Sequence, residues 1–272
     1  MICRRALPVF IAALLLLAPA ALAKEQKELV VFCAASLKGA FGEIGQIYEN
    51  ETGIDVVFNF DGSQLLRTQV ENGAYADVFV SANEKQLNAL MEEGLMNNGS
   101  TCVFARNRPA IIIPKENPAH IQGISDLARP GIKIVIGTRE SPIGDYTRAI
   151  FSRLANDSAY GQEFIDKVMA NVVSTETNVD FIVSKLELGE ADAGIAYKSD
   201  ATLDLAAKIT PIEIPERYNI IAEYSVAILQ QSGYQEEAEE FIRLVNSGQG
   251  AAALQEHGFE TVESVDGLRA AA

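Results

Sequence analysis

Between Leu29 and Leu95, apolar runs and amphipathic stretches alternate three times, and this alternation limits the fold more than any other feature of the chain. ELVVFCAA is almost continuously apolar, as a strand covered on both faces of a sheet must be. In LKGAFGEIGQIYENETG, Leu37, Phe41, Ile44 and Tyr48 recur every three or four residues, and Gly53 closes the pattern. That spacing marks one face of a helix with a glycine stop. DVVFNF, SQLLRTQVENGA, ADVFVSA and NEKQLNALMEEGL then read as strand, helix, strand and helix, with Gly73 and Gly94 as stops. A β-α-β-α-β-α order calls for right-handed crossovers and an α/β sheet.

A second unit follows. CVFARNRPAIIIP is a long strand-like run interrupted by charges and Pro109. IKIVIGT reads as a strand, GDYTRAIFSRLAND and YGQEFIDKVMANV as helices, and VDFIVSKLELGEA as a helix leading into the strand DAGIAY. KITPIEIP and EYSVAIL are later strands, and YQEEAEEFIRLVNSG and GQGAAALQEHG are closing helices. The 272 residues suffice for two lobes, each with its own core. The chain crosses between them near Phe104 to Asn107 and returns near Ile220 to Glu223, so the closing helices complete the first lobe. Two crossings place a cleft where the ends of parallel strands face each other.

The N-terminus stands apart from this pattern. MICRR is a short basic stretch, ALPVFIAALLLLAPA is apolar but short of the ~20 residues that span a bilayer, and Ala21 to Ala23 form a small-x-small cleavage site. Together they read as a secretory signal over residues 1–23. No cysteine follows that site, so a lipid anchor by that route is not expected. Loss of Arg4 and Arg5 moves the formal charge from −15 to −17. Such acidity argues against nucleic acid and anionic membranes as partners. It also sets up a tension with any anionic ligand.

Chemistry-bearing residues are sparse. Cys33 and Cys102 sit in apolar runs, as free thiols or as a disulfide pair, and Cys3 goes with the signal. There is no CxxC and no Cys/His cluster, and His120 and His257 stand far apart next to turn-like residues. GxSxG, HExxH and P-loop motifs are absent, which speaks against a secreted enzyme. Asn50, Asn98 and Asn156 begin N-x-S/T sequons at a frequency near chance.

Four connections share a theme. AAS at Ala34 to Ser36, Gly62–Ser63, Pro142–Ile143–Gly144 and Asn178–Val179 each place small, polar or turn residues where a strand passes into a helix. Helix N-termini expose unpaired N–H groups and partial positive charge, and they bind anions without a cationic side chain. Taken singly, Ser36, Ser63 and Asn178 read as helix caps, worth about 1 kcal/mol each.

In combination, AASL, GS, PxGxY and GIAY in that order make the chain resemble the molybdate-binding periplasmic proteins of ABC uptake systems. VVFCAASLKGAFGEIGQIYENETG with DVVFNFDGSQLL resembles that family's N-terminal signature, and ADAGIAYKSDA its later one. The resemblance covers nearly all of the chain beyond the signal and is weakest across Leu154 to Ser174. It implies a two-lobed, type II periplasmic-binding-protein fold of class α/β, with 24–105 and 222–272 as one lobe and 106–221 as the other. It further implies a monomer without enzymatic activity or cofactor, placed in the periplasm or an equivalent space, that delivers molybdate or tungstate to an ABC transporter permease.

The family's ligand positions fall on Ser36 and Ser63 as hydroxyl donors, Ile143 and Val179 as backbone N–H donors, and Tyr197 as a phenol donor. Ile143 replaces the family's usual alanine, which a backbone donor tolerates. Neutral donors in a dry cleft would hold a tetrahedral dianion despite the acidic surface. A smaller dianion such as sulfate would leave donors unpaired, at about 1–3 kcal/mol each. Another tetrahedral oxyanion, sulfate or phosphate, is the alternative ligand. Asp61 and Asp180, beside the proposed donors, are expected to cap or to face solvent.

Overall fold

The computed structural model describes residues 27–97 and 99–262. The expected signal 1–23, the sequon residue Asn98 and the tail 263–272 lie outside the described residues. Along the chain run β1 (Glu28–Ala34), a 3₁₀ turn (Ala35–Leu37), α1 (Lys38–Thr52), β2 (Asp55–Asp61), α2 (Ser63–Glu71), β3 (Val78–Ser81) and α3 (Glu84–Glu92). Next come β4 (Cys102–Asn107), β5 (Pro109–Pro114), β6 (Ile134–Gly137), α4 (Pro142–Ala155), α5 (Gly161–Ala170), β7 (Val172–Glu176), α6 (Val179–Glu187) and β8 (Ala193–Tyr197). Then follow β9 (Ile209–Glu213), β10 (Ala222–Ile228), α7 (Gln235–Val245), α8 (Gly248–Glu256) and β11 (Glu260–Thr261).

Two sheets organise these elements. The first has the order β11-β4-β10-β3-β1-β2, and the second β7-β6-β8-β5-β9. β2, β1 and β3 are parallel, whereas β10 inserts antiparallel between β3 and β4. In the second sheet β7, β6 and β8 are parallel, and β5 runs antiparallel to β8 and β9. Both sheets are therefore mixed. The β-α-β units supply the parallel strands, and the segments that cross between sheets supply the antiparallel ones.

The apolar periodicity of α1 becomes burial. Leu37, Phe41, Ile44 and Tyr48 are all fully or almost fully enclosed, each removing enough apolar surface to stabilise by about 1.5–3 kcal/mol. Phe41 meets Phe104 and Phe241 with ring centroids 5.6 and 6.1 Å apart, which ties α1 to β4 and α7. Gly53 ends α1 in the left-handed region at φ 72, as a C-terminal glycine allows.

The run CVFARNRPAIIIP, read from sequence as one strand-like stretch, serves both sheets. Asn107 pairs with Ala222 in the first sheet, and Pro109 pairs with Tyr197 in the second, so only Arg108 separates them. The return crossing occupies residues 214–221. There Asn219 donates through Nδ2 to Pro109 O at 2.9 Å, which joins the two crossings side by side. Arg108 adds ion pairs to Glu260 at 2.9 Å and Glu216 at 3.8 Å.

Two strands have no counterpart in the sequence reading. β7 alternates half-buried and exposed residues at a sheet edge, without the apolar run that marks a central strand. β11 has only two residues. Cys33 and Cys102 are both free thiols. They lie on β1 and β4, with β3 and β10 between them, and three strand spacings of about 4.8 Å far exceed the ~7 Å limit of Cα separation for a disulfide.

Candidate functional site

Ser36, Ser63, Ile143 and Val179 each follow the carboxyl end of a parallel strand, namely β1, β2, β6 and β7, and Tyr197 is the last residue of β8. This is where α/β sheets place ligands. All five line one cavity between the two sheets, together with Ala34, Ala35, Asp61, Gly62, Ser141 and Asn178 among others. No lysine, arginine or histidine is among its lining residues. The space open to the centre of a water-sized sphere is about 20 Å³. One water needs about 10–15 Å³ on that measure, so with the walls in contact the cavity has room for one or two water-sized groups.

The two serines do not cap helices, contrary to the single-residue reading. Ser36 lies inside the 3₁₀ turn, and α1 begins two residues later without a side-chain cap. Its Oγ is 2.9 Å from the Tyr224 hydroxyl. Ser63 is the first residue of α2, and the capping position belongs to Gly62. Ser63 Oγ accepts the Ala82 N–H at 3.1 Å. Both hydroxyls thus keep a hydrogen-bonding valence for the cavity. Asn178 is a cap, with Oδ1 accepting from Phe181 N at 3.3 Å.

Backbone donors come from two helix N-termini. In α4, Pro142 has no N–H, Ser141 Oγ accepts from Gly144 N at 3.2 Å, and Ser141 O accepts from Asp145 N at 2.9 Å. The amide that remains in this first turn belongs to Ile143. In α6, Asn178 takes the Phe181 amide, and Val179 stands at the first helical position. Both amides belong to the set that an α-helix cannot satisfy internally, and both carry the positive end of its dipole.

Tyr197 supplies the least ambiguous donor. Its side chain is 2% exposed, and its hydroxyl has no hydrogen-bond partner among the described residues. Burial pushes the phenol well above its ordinary pKa, so it stays protonated. An unpaired buried hydroxyl costs roughly 1–3 kcal/mol, which an acceptor in the cavity would remove.

One carboxylate sits on the wall. Asp61 Oδ1 accepts from Gly62 N at 2.7 Å and from Asn178 Nδ2 at 2.8 Å. Asp180 does not line this cavity. It is exposed, as the sequence led one to expect, and borders a neighbouring groove with Lys38, Asp200 and His257, where partial desolvation raises its pKa and Lys38 lowers it. His257 approaches Glu43 at 3.4 Å in that region, away from the cavity.

The walls meet directly. Gln64 Nε2 donates to Thr177 O at 2.8 Å, Gln86 Nε2 to Glu140 O at 3.2 Å, and the Tyr146 hydroxyl to Ala82 O at 3.2 Å. A Cβ on Gly62 would come within 2.5 Å of Thr177 O, so only glycine fits that contact. Sequence reasoning missed Tyr224 and the partners across the cleft. Tyr224 contacts Ser36 across 188 positions of chain, a distance over which no local motif carries a signal.

Comparisons with known proteins bear on this geometry. A family model described as bacterial extracellular solute-binding protein matches residues 29–260. The molybdate-binding protein ModA of Mycobacterium tuberculosis is 35% identical over 242 residues, covering 89% of this chain and 87% of the relative. Among solved structures, the substrate binding domain of a putative molybdenum ABC transporter from Clostridium difficile is similar at TM-score 0.64 and 28% identity, over 88% of this chain and all of that one. The sulfate-binding protein SubI of Mycobacterium tuberculosis is similar at TM-score 0.76 and 17% identity, over 88% of each chain. That last likeness concerns the fold alone.

Proposed function

The chain belongs to the bacterial extracellular solute-binding proteins, and from that premise we propose that it captures molybdate in the cavity between its sheets and passes it to the permease of an ABC transporter. The observation that carries this reading is the cavity wall. Two serine hydroxyls, an unpartnered phenol and two helix N-termini line a space of about 20 Å³ whose one charged lining side chain among the described residues, Asp61, already accepts two hydrogen bonds from the protein. Such a set offers hydrogen-bond donors to an ion that has acceptors only, and neutral dipoles suffice where water is excluded.

In this reading Ser36, Ser63 and Tyr197 donate through oxygen, and Ile143 and Val179 through nitrogen. Tungstate, of the same charge and nearly the same size, occupies the same donors. Sulfate is smaller and leaves some of them unpaired. Of the described residues, those before Arg108 and those from Ala222 onward form one lobe and those between them the other, closing over the ion about the two crossings. The protein works as a monomer outside the cytoplasmic membrane, in keeping with the leader-like residues 1–23.

Isothermal titration of the purified protein with molybdate, tungstate and sulfate tests the reading. Because the chain has no tryptophan, tyrosine fluorescence gives a second signal. Molybdate and tungstate bind with similar affinity and sulfate far more weakly. Equal or tighter binding of sulfate would refute the assignment.

A further inference from the structure

The direction of each hydroxyl proton on the cavity wall is a separate question from its position. Ser63 Oγ accepts from the Ala82 N–H, so its own proton is left to turn into the cavity. Ser36 is different, because its partner at 2.9 Å is another hydroxyl, that of Tyr224, and either group can donate. If Ser36 donates, it presents lone pairs to the ligand. If Tyr224 donates, the Ser36 proton is free for the ligand. An unprotonated oxyanion has acceptors only, so the first arrangement sets lone pairs against lone pairs.

We propose that Tyr224 is a positioning residue, whose hydroxyl donates to Ser36 Oγ and so turns the Ser36 proton toward the bound oxyanion. The inference rests on the reading of the cavity as an oxyanion site. Three observations support it. Tyr224 is completely buried, yet it is not among the residues that line the cavity, so it reaches a ligand only through residues that do, Ser36 by the hydroxyl contact and Tyr197 by ring packing. Its ring is fixed edge-on against Phe259, Tyr197 and Phe104, with centroids 5.3, 5.8 and 6.5 Å away. The phenol position is therefore set by packing, and Ser36 adapts to it. Burial also holds the Tyr224 phenol protonated, well above its ordinary pKa.

The strand carrying Tyr224 gives this arrangement its rigidity. β10 pairs with both β3 and β4 at the centre of the first sheet, and its register with β4 shifts between Tyr224 and Ser225. A bulge of this kind re-aims a side chain. Tyr224 comes late in the chain and reaches the first strand-to-helix turn only because β10 is threaded back between β3 and β4.

A double-mutant cycle with molybdate as the probe reads the coupling. Titrations compare the unmodified protein, Ser36→Ala, Tyr224→Phe and the double variant. Tyr224→Phe alone weakens binding by about tenfold, the scale of one hydrogen bond to a charged group. In the Ser36→Ala background the same change produces no further loss. Losses that multiply would show that Tyr224 acts independently of Ser36 and would overturn the inference while leaving the ligand assignment intact. Failure of the unmodified protein to bind molybdate would overturn both.

Neutron diffraction from crystals of the perdeuterated, unsubstituted protein with molybdate answers the same point without a variant. Deuterium bonded to the Tyr224 oxygen and directed at Ser36 Oγ supports the inference. Deuterium bonded to Ser36 Oγ and directed at Tyr224 overturns it.

Discussion

Asn178 donates through Nδ2 to Asp61 Oδ1 at 2.8 Å, linking the start of α6 to the end of β2 across the cleft. The same asparagine caps α6 through its other amide atom. One side chain thus joins helix start, cavity wall and opposite sheet, and the carboxylate it holds is the only acid on the wall among the described residues.

That pairing separates two effects of Asp61. Asp61→Asn keeps an acceptor for Asn178 and removes a negative charge beside an anion, so molybdate binds as tightly or several-fold more tightly, with less dependence on ionic strength. Asp61→Ala loses the bond across the cleft and weakens binding. Titrations at two salt concentrations distinguish the variants, and a marked loss with Asp61→Asn would contradict this account.

Tyr197→Phe removes a buried hydroxyl that has no hydrogen-bond partner among the described residues. The melting temperature without ligand stays level or rises, because an unpaired polar group disappears. Affinity for molybdate falls by about tenfold or more, the weight of a hydrogen bond to a charged acceptor. Calorimetry with and without ligand measures both. A loss of stability in the free protein would mean that the hydroxyl has a structural partner.

Ser36→Ala and Ser63→Ala each weaken molybdate binding by at least about tenfold. Their effects on the free protein differ. Ser63→Ala leaves the Ala82 N–H without its acceptor, at ~1 kcal/mol or a few degrees of melting temperature. Neither change frays a helix, because neither serine is a cap. Circular dichroism checks the helix content.

Gly62→Ala places a methyl group within 2.5 Å of Thr177 O and 2.7 Å of the Gln64 amide. Closed walls cannot accept it, whereas separated walls can. The stabilisation that molybdate confers on the melting temperature is therefore smaller in the variant than in the unmodified protein. Small-angle scattering with saturating molybdate shows a larger radius of gyration than that of the unmodified complex.

Asp200 governs a pH effect away from the cavity. Its carboxyl is buried beside Asp180, and burial pushes its pKa up to about 8. The folded state retains that proton in the range where the unfolded chain, at the ordinary 3.8, has lost it. Its contribution to stability is therefore greatest at low pH and declines as pH rises toward 8. Asp200→Asn keeps an acceptor for the Tyr197 N–H and removes the slope, raising the melting temperature at pH 8 but not at pH 4. Melting curves across that interval decide the point.

Much of this was legible locally. Periodicity in α1 and the continuous apolarity of β1 sufficed, because those elements bury residues at spacings that sequence records directly. Small or turn residues at strand ends marked Ser36, Ser63, Ile143 and Val179 only as helix starts, and it was the family resemblance that singled out these four and Tyr197, all of which line the one cavity. What stayed hidden depends on contacts between distant segments. The split of CVFARNRPAIIIP between two sheets turns on Arg108 alone, and nothing in its composition marks that break. The antiparallel insertion of β10, the edge strand β7 and the Tyr224–Ser36 contact follow from the pairing of strands, which local pattern does not encode. Ser36 and Ser63 read as caps from sequence because each stands within one residue of a true capping position, Leu37 for α1 and Gly62 for α2.

The paired crossings limit how the molecule can move. Had the two connections lain apart, the sheets could twist, slide and bend against each other. Asn219 instead ties the return crossing to Pro109, and Arg108 pairs with Glu216 on that same return, so the two connections share one set of bonds. A hinge motion of the kind proposed above would have to carry both connections together, and a substitution at Asn219 would be felt in each.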